Sequence, residues 1–316
     1  MNNAVVFVEY KNGRLSKKSS NLLFKVNQLN FDSISLYTFN HCKEYLVPSY
    51  VNAELVVVDH SSSLSIADNE MVTSLSNDLS NRNIKVGFAI KSLLIDTLIP
   101  QLAISLKSIV RSQIIDFGMN GDQYCYTTSV FNNKANAQFI GSLNSCFYIV
   151  TNNLMLATSS KETLDEIAVT PKILSIQKSS YSVKSVDKVV NEISLTDAEV
   201  VIGAGRGLKD PSNWYMIEEI ASLLNASTAC SKPVSDLDWR PHHEHVGQTG
   251  VKISPNIYIA CGISGAIQHL AGVNSSKTIV VINNDKEAPF FNNADYGIVG
   301  DVFEIVPKLI NKLRNR

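Results

Sequence analysis

Five short apolar runs between residues 199 and 299 constrain this chain more than any other feature. They are Glu199–Ile202, Ser227–Cys230, Asn256–Cys261, Lys277–Ile282 and Tyr296–Val299. Helical spacing of apolar residues follows the first run, at Asn213–Asn225, and the last, at Phe303–Leu313. Asp210 is placed to cap the first of these helices, with Pro211 at its first helical position. Strands alternating with helices predict a parallel sheet with helices on its faces.

The polar residues that a core would not ask for all fall just past the carboxyl end of one of these strands. Arg206 follows the first strand, and Ser231 and Lys232 the second. Ser264 to His269 follow the third, Asn283 the fourth and Asp301 the fifth. Ligands of open parallel sheets bind in the crevice outside those strand ends. Gly-rich turns leading into helices present free N–H groups to an anion. Arg206 adds a planar fork suited to phosphate and Lys232 a point charge. A nucleotide-sized ligand with a diphosphate is the expected guest. A standard dinucleotide fingerprint is a poor fit. Gly203-x-Gly205-x-Gly207 has its third glycine one residue early, since Leu208 stands where GxGxxG needs glycine. The acidic residue expected about twenty positions on is missing from 221–230.

The first half has the same rhythm with a different ending. Val5–Val8, Ser33–Tyr37, Leu55–Asp59 and Lys85–Ala89 are predicted strands, with helical spacing at Leu22–Leu29 and Glu70–Leu79. Gln123–Val130, Ala137–Ile140 and Ser145–Thr151 resemble antiparallel strands on the edge of that domain, with polar turns such as Asn132-Asn133 between them. From 152 to about 195 the chain is rich in Ser, Lys, Thr and Val, which suits a strand-like tail and linker. The predicted domains are therefore 1–190 and 191–316, and the fold class is α/β, each domain a mostly parallel sheet flanked by helices.

Charge narrows the partners. Lys and Arg number 28 against 29 Asp and Glu, which leaves no basic footprint for nucleic acid or an anionic membrane. Five scattered cysteines without CxxC spacing suggest neither a disulfide framework nor a zinc site, and a reducing compartment fits them. No targeting segment is visible at the N-terminus, where a strand starts almost at once. The longest apolar stretch, Leu93–Leu106, holds Asp96 and Pro100 and is too short to span a bilayer.

Some residues have plain structural readings. His242, His243 and His245 invite a metal, but no cysteine or acidic constellation surrounds them, so a solvated loop is expected. Cys230 and Cys261 sit at strand ends as small core residues. Trp214 and Tyr215 are expected in core packing or a domain contact. His269 alone could be a core histidine, Thr249 a turn cap, and Arg206 the partner of a surface carboxylate.

Ordered motifs in the second half carry a family resemblance. They are Gly205-Arg-Gly-Leu208, Val246-Gly-Gln-Thr-Gly250, Pro255-x-Ile-Tyr-Ile-Ala260, Gly262-Ile-Ser-Gly-Ala-Ile-Gln-His-Leu-Ala-Gly272, Ser276-Lys-Thr-Ile279, Ile282-Asn283 and Ala294-Asp-Tyr-Gly-Ile298. Together, from about 199 to 316, they closely resemble the α subunit of electron transfer flavoprotein. The N-terminal half resembles that family only in its βα rhythm and size.

The resemblance implies a Rossmann-like FAD-binding domain at 191–316 and an N-terminal domain lent to a β subunit in a heterodimer. It implies FAD contacts from Arg206, Ser231, Lys232, Val246, Gly247, Gln248, Thr249, Ser264, Gly265, Ala266, Ile267, Gln268, His269, Asn283 and Asp301. Ser264 and its turn would hold the pyrophosphate and ribityl chain, and Asn283 and Asp301 the adenosine end. Thr249 would sit near flavin N5. His269 would lie at the O2 edge, where a cationic or proton-sharing imidazole favours negative charge on the flavin. The family commonly has Arg where this chain has Lys232, which keeps the charge and loses the planar fork.

The implied function is an electron carrier without substrate chemistry of its own. Its donors would be acyl-CoA or other dehydrogenases, and its acceptor a quinone oxidoreductase. It would be cytoplasmic in bacteria or in the mitochondrial matrix, without membrane insertion. The alternatives are a nitrogen-fixation-type or bifurcating relative, or a flavin- or NAD-dependent oxidoreductase. The last needs a general acid or base aimed at a substrate cavity, and the sequence offers no such constellation.

Overall fold

A computed structural model describes residues 3–60, 67–121, 123–131, 135–141, 143, 145–151, 154, 165–176, 194–196 and 198–315. The chain divides into two compact units, Met1–Asp187 and Lys188–Arg316. The 190/191 boundary and the Asn132-Asn133 turn expected from sequence lie outside the described residues.

Unit 1 opens with β1 (Asn3–Phe7), the short pair β2 (Tyr10–Lys11) and β3 (Arg14–Leu15), and helix α1 (Lys17–Asn27). Then come β4 (Ser33–Thr38), β5 (Leu46–Pro48), β6 (Ala53–Asp59), α2 (Asn69–Asn81), β7 (Val86–Ile90) and α3 (Leu93–Ser105). The unit closes with β8 (Ile109–Asn120), β9 (Gln123–Val130), β10 (Ala135–Gly141), β11 (Cys146–Val150), β12 (Glu166–Ala168) and β13 (Lys172–Ser175). Nine strands form one sheet in the order β10-β9-β8-β11-β7-β1-β4-β6-β13. Six of its eight pairings are parallel; only β10–β9 and β9–β8 are antiparallel. Successive residues of a strand point to opposite faces, so Val6 and Leu36 join one core while Val5, Phe7 and Tyr37 join the other.

One expectation changes here. Residues 145–151 do not form an antiparallel edge strand, because β11 runs inside the sheet, parallel to both β7 and β8. All five of its residues are buried. A run as continuously apolar as Cys-Phe-Tyr-Ile-Val marks a strand covered on both faces, which is where parallel pairing occurs. The stretch around Leu93 is helix α3, capped by Ser92, whose hydroxyl accepts from Ile95 N. Pro100 stays within it on the exposed side.

Unit 2 contains β14 (Val200–Ala204), α4 (Tyr215–Leu224), β15 (Ser227–Cys230), α5 (Lys232–Asp236), β16 (Ile257–Cys261), α6 (Ile267–Val273), β17 (Thr278–Asn283), β18 (Tyr296–Val299) and α7 (Val302–Arg314). Its five strands are all parallel, in the order β15-β14-β16-β17-β18. Counted within the unit this is 2-1-3-4-5, the order of flavodoxin-like doubly wound folds. Ile202, Ala204, Ile259 and Cys261 face the α4 and α7 side, and Val201, Tyr258 and Ala260 face the α6 side. The central strands are thus buried on both faces, as parallel strands generally are, while the edge strand β18 is exposed. Its strand order reverses between β14 and β16, and the loops leaving those two strands open the crevice where such folds bind ligands.

Candidate functional site: a glycine-lined crevice in unit 2

The two loops at the reversal touch through glycine. Gly205 N donates to Cys261 O at 3.0 Å and Gly207 N to Gly262 O at 3.1 Å. A Cβ on Gly205 would stand 2.5 Å from Gly262 O, and one on Gly207 2.6 Å from Gly262 Cα. Gly262 has φ +60°, and Gly265 has φ +82° with its α-carbon against the Phe290 backbone. Only residues without side chains allow these approaches, so the backbone itself lines this part of the crevice.

Two helices begin here without caps. The N-cap of α5 is Ser231 and that of α6 is Ala266, and neither side chain accepts a backbone hydrogen bond. The last helix is different, since Asp301 caps α7 by accepting from Phe303 N at 3.0 Å. First-turn N–H groups have no partner within their own helix. Val234 N and His269 N donate to the carbonyls of Ser231 and Ala266, and Pro233 has no N–H. The groups left for an outside acceptor are therefore Lys232 N at α5 and Ile267 N at α6, Gln268 N lacking only an intrahelical partner. Each missing cap forgoes about 1 kcal/mol.

The expected site residues divide by what they already hold. Arg206 begins a short 3-10 turn, is exposed and makes no ion pair among the described residues. Lys232, Gln248, Thr249, Ser264, Ala266, Ile267 and Gln268 are also exposed, whereas Ser231, Val246, Gly247 and Gly265 are buried. Loop 246–250 lies on α6: Gln248 N donates to Gln268 O at 2.7 Å, and a Cβ on Gly272 would meet Gly247 N at 2.5 Å. Asn283 is buried and carries the turn after β17, donating from Nδ2 to Ile263 O and accepting from Asp285 N, both at 3.0 Å. Asp301 adds to its cap an ion pair with Lys209 at 3.7 Å.

His269 is 7% exposed. Its Nε2 lies 2.9 Å from the Tyr258 hydroxyl, and its ring packs edge-on against Phe290. Nδ1 has no hydrogen-bond partner among the described residues. Burial, and then the neighbouring His245, lower its pKa to about 4. The ring is therefore neutral at neutral pH. Of the two alternatives the resemblance implies, a neutral ring matches the proton-sharing one.

The histidine-bearing loop is less solvated than its composition implies. His242 and His243 are exposed, but Glu244 and His245 are buried. Arg240 grips Glu244 through Nε at 2.9 Å and Nη2 at 2.5 Å, and reaches Glu218 at 2.8 Å. Thr228 of β15 donates to the same carboxylate at 3.2 Å. This network ties the loop that carries Val246–Thr249 to the sheet. Burial first, then the charges of His242 and Lys232, lower the His245 pKa, which places Lys232 close to it. Trp214 is buried under Arg240, while Tyr215 is exposed and outside the core. Cys230 and Cys261 are fully buried, and burial pushes both thiols up to about 12. Tyr258 and Phe290 went unnoticed in the sequence because each looks like an ordinary core aromatic.

Residues 194–274 match the family model described as the electron transfer flavoprotein FAD-binding domain. The chain is 36% identical over 216 residues to the electron transfer flavoprotein subunit alpha of Bacillus subtilis, covering 68% of this chain and 66% of that one. The chain belongs to the electron transfer flavoprotein α family. The subunits alpha of Syntrophomonas wolfei and Paracoccus denitrificans are 49% identical over 120 residues and 50% identical over 119. Each of these matches takes in 38% of this chain, and 38% and 39% of the respective relative. The matching part thus spans less than two thirds of these relatives' length.

The cofactor of this domain is FAD. The residues present fit it. A diphosphate needs close backbone approach and free N–H groups, which the Gly205, Gly207, Gly262 contact and the uncapped α5 and α6 provide. A flavin ring needs polar partners on an otherwise apolar surface, and buried His269 has an Nδ1 left without a hydrogen-bond partner. No helix among the described residues is long and apolar enough to cross a membrane.

Proposed function

We propose that this chain is the α subunit of an electron-carrying flavoprotein, paired with a β subunit and holding one FAD in unit 2. Its electrons would come from dehydrogenases, acyl-CoA dehydrogenases among them, and go to a quinone reductase. The observation that carries the reading is the glycine-lined reversal between β14 and β16, flanked by two uncapped helices. When bound, FAD supplies the redox chemistry. The chain's own residues bind and orient it. Ser264, Gly265 and the uncapped turns offer N–H groups to its phosphates, and Arg206 and Lys232 offset its charge. Val246–Thr249 and the face of α6 that bears Gln268 and His269 line the flavin, and Asn283 and Asp301 shape the far end. In this reading no residue of the chain makes or breaks a substrate bond. Its residues act by setting the flavin's potential and how far its edge is exposed.

Co-expression with a candidate β subunit tests this. The complex should be yellow and should release one FAD per α chain on denaturation. A colourless complex, or one releasing FMN or NAD, overturns the reading.

A further inference from the structure

Tyr258 is fully buried in the middle strand of unit 2. Its hydroxyl has Nε2 of His269 at 2.9 Å. The sheet is shaped around that hydroxyl, because any Cβ at Gly203 on the neighbouring strand would overlap it. Phe290 packs against both rings, and His245 is the titratable neighbour that acts on His269. Burial holds the phenol well above its ordinary pKa and the imidazole down at about 4, so both groups are neutral.

Two neutral arrangements of the proton exist. If Nε2 carries it and donates to the tyrosine oxygen, the phenol proton and the Nδ1 lone pair are both left without partners. If the phenol donates to Nε2, the Nδ1–H and the phenol oxygen's lone pairs are left, so each arrangement leaves one donor and one acceptor without a partner. The phenol O–H is a far more acidic donor than a neutral imidazole N–H, and the imine nitrogen a better acceptor than a phenol oxygen. The O–H to Nε2 bond is therefore the stronger and the second arrangement the stable one.

We propose that Tyr258 is a positioning residue: it donates to Nε2 of His269, fixes the ring as the Nδ1–H tautomer, and leaves that N–H as the hydrogen bond the pocket offers to the cofactor. The last clause rests on the FAD reading above; the tautomer does not. A free histidine prefers its proton on Nε2, so the protein is working against the intrinsic bias of the ring. The neutral donor also sets what this residue can do. It can hold an acceptor atom in place without bringing a charge into the site.

The test is nitrogen NMR of the full chain labelled with ¹⁵N-histidine, with His269→Gln used to assign the signal. In the parent, Nε2 should resonate as an unprotonated acceptor and Nδ1 as a protonated nitrogen. Tyr258→Phe should move the tautomer ratio about tenfold back toward Nε2–H, the change expected for losing one hydrogen bond. Its thermal unfolding should stay cooperative and its FAD should be retained, since the phosphate cradle is untouched. A parent ring protonated on Nε2 overturns the proposal, and that measurement stands even if the variant fails to fold. An unchanged tautomer in a folded Tyr258→Phe chain overturns it as well. Adding FAD should shift the Nδ1 signal; a chain that binds FAD with Nδ1 unmoved removes the cofactor clause. A complex with the β subunit that binds no FAD overturns the proposed function, while the tautomer is still decided by the spectrum without FAD.

Discussion

Both units of this chain contain a reversal of strand order, but they treat the ends of their helices differently. In unit 1 the run β6-β4-β1-β7-β11 is the 3-2-1-4-5 order of dinucleotide-binding folds, and it reverses between β1 and β7. The residues that follow those strands are Val8-Glu9 and Lys91-Ser92, with a carboxylate in one loop and no glycine in either. Among the described residues of unit 1 all three helices have side-chain caps: Ser16 accepts from Ser19 N, Asp68 from Met71 N, and Ser92 from Ile95 N. In unit 2 the loops at the reversal are glycine, and α5 and α6 start without a side-chain cap. A doubly wound sheet therefore supplies a crevice in either case. Whether the crevice can hold an anion depends on local chemistry, on whether the backbone donors are already spent on caps and whether a side chain stands in the way.

The largest test strikes the glycine contact. Gly262→Ala forces a side chain into a φ of +60° and against the Gly207 backbone, where the Cβ would lie 2.8 Å from Gly207 Cα. We expect a loss of about 3 kcal/mol or more in unit 2, with FAD binding abolished. Lys91→Ala, at the reversal of unit 1, should change neither. Urea unfolding and retained flavin absorbance measure both. If Gly262→Ala keeps its flavin, the glycine lining is not what separates the two crevices.

Acidification comes next. The folded pKa of His269 lies below its unfolded value, about 4 against 6.5. The folded state therefore binds this proton more weakly, and stability present above pH 6.5 is lost as pH falls toward 4. The loss from this residue is on the order of 3 kcal/mol. His245 shifts in the same direction and adds to it. Unfolding free energy measured from pH 7 to 4 should fall less steeply in His269→Gln. Parallel curves for the two chains would mean that the ring is not buried and neutral.

Ala266→Asp sharpens the comparison by giving α6 the kind of cap that unit 1 uses. Ala266 is exposed, and its φ of −56° and ψ of 148° suit an N-cap. The chain without cofactor should gain about 0.5–1 kcal/mol. Its FAD affinity should fall by about a hundredfold, because the cap takes up the N–H groups and places a carboxylate near the phosphates. Opposite signs in melting and flavin titration are the expected signature. A variant that gained stability and kept its affinity would show that the phosphates sit elsewhere.

The smallest effect is at Lys232. Lys232→Arg keeps the charge at an exposed position, so FAD affinity should move by less than about 0.5 kcal/mol. The flavin's potentials should rise modestly if a guanidinium stacks better than an ammonium on the ring. Unchanged potentials would place residue 232 away from it.

Much of this was legible from nearest neighbours along the chain. The strands Ser227–Cys230 and Tyr296–Val299 appear with the ends that their apolar runs imply. The Asp210 cap with Pro211 is in place, although it opens a 3-10 turn before α4 begins at Tyr215. The position of the polar residues at strand ends follows from the same periodicity. Less legible was anything that depended on a distant partner. Cys146–Val150 looked like an edge strand because hairpin-like runs preceded it, and the sheet placed it between β7 and β8. His245 looked solvated among polar neighbours, and Glu244, held by Arg240, helps fix its loop in a buried position.

The sequence by itself determined that unit 2 alternates strand and helix and that its strand ends carry glycine and phosphate-suited side chains. Those properties are local, set by backbone freedom and by the two- and 3.6-residue periods of apolar side chains. The tertiary structure alone decided that the strands order as 2-1-3-4-5, that Gly203 leaves room for the Tyr258 hydroxyl, and that this hydroxyl meets His269. Those contacts join residues from different elements, and side-chain period says which face a residue points to but not which strand will lie beside it. Only the closed sheet brings a glycine on one strand, a tyrosine on the next and a histidine on the covering helix within a hydrogen bond's reach.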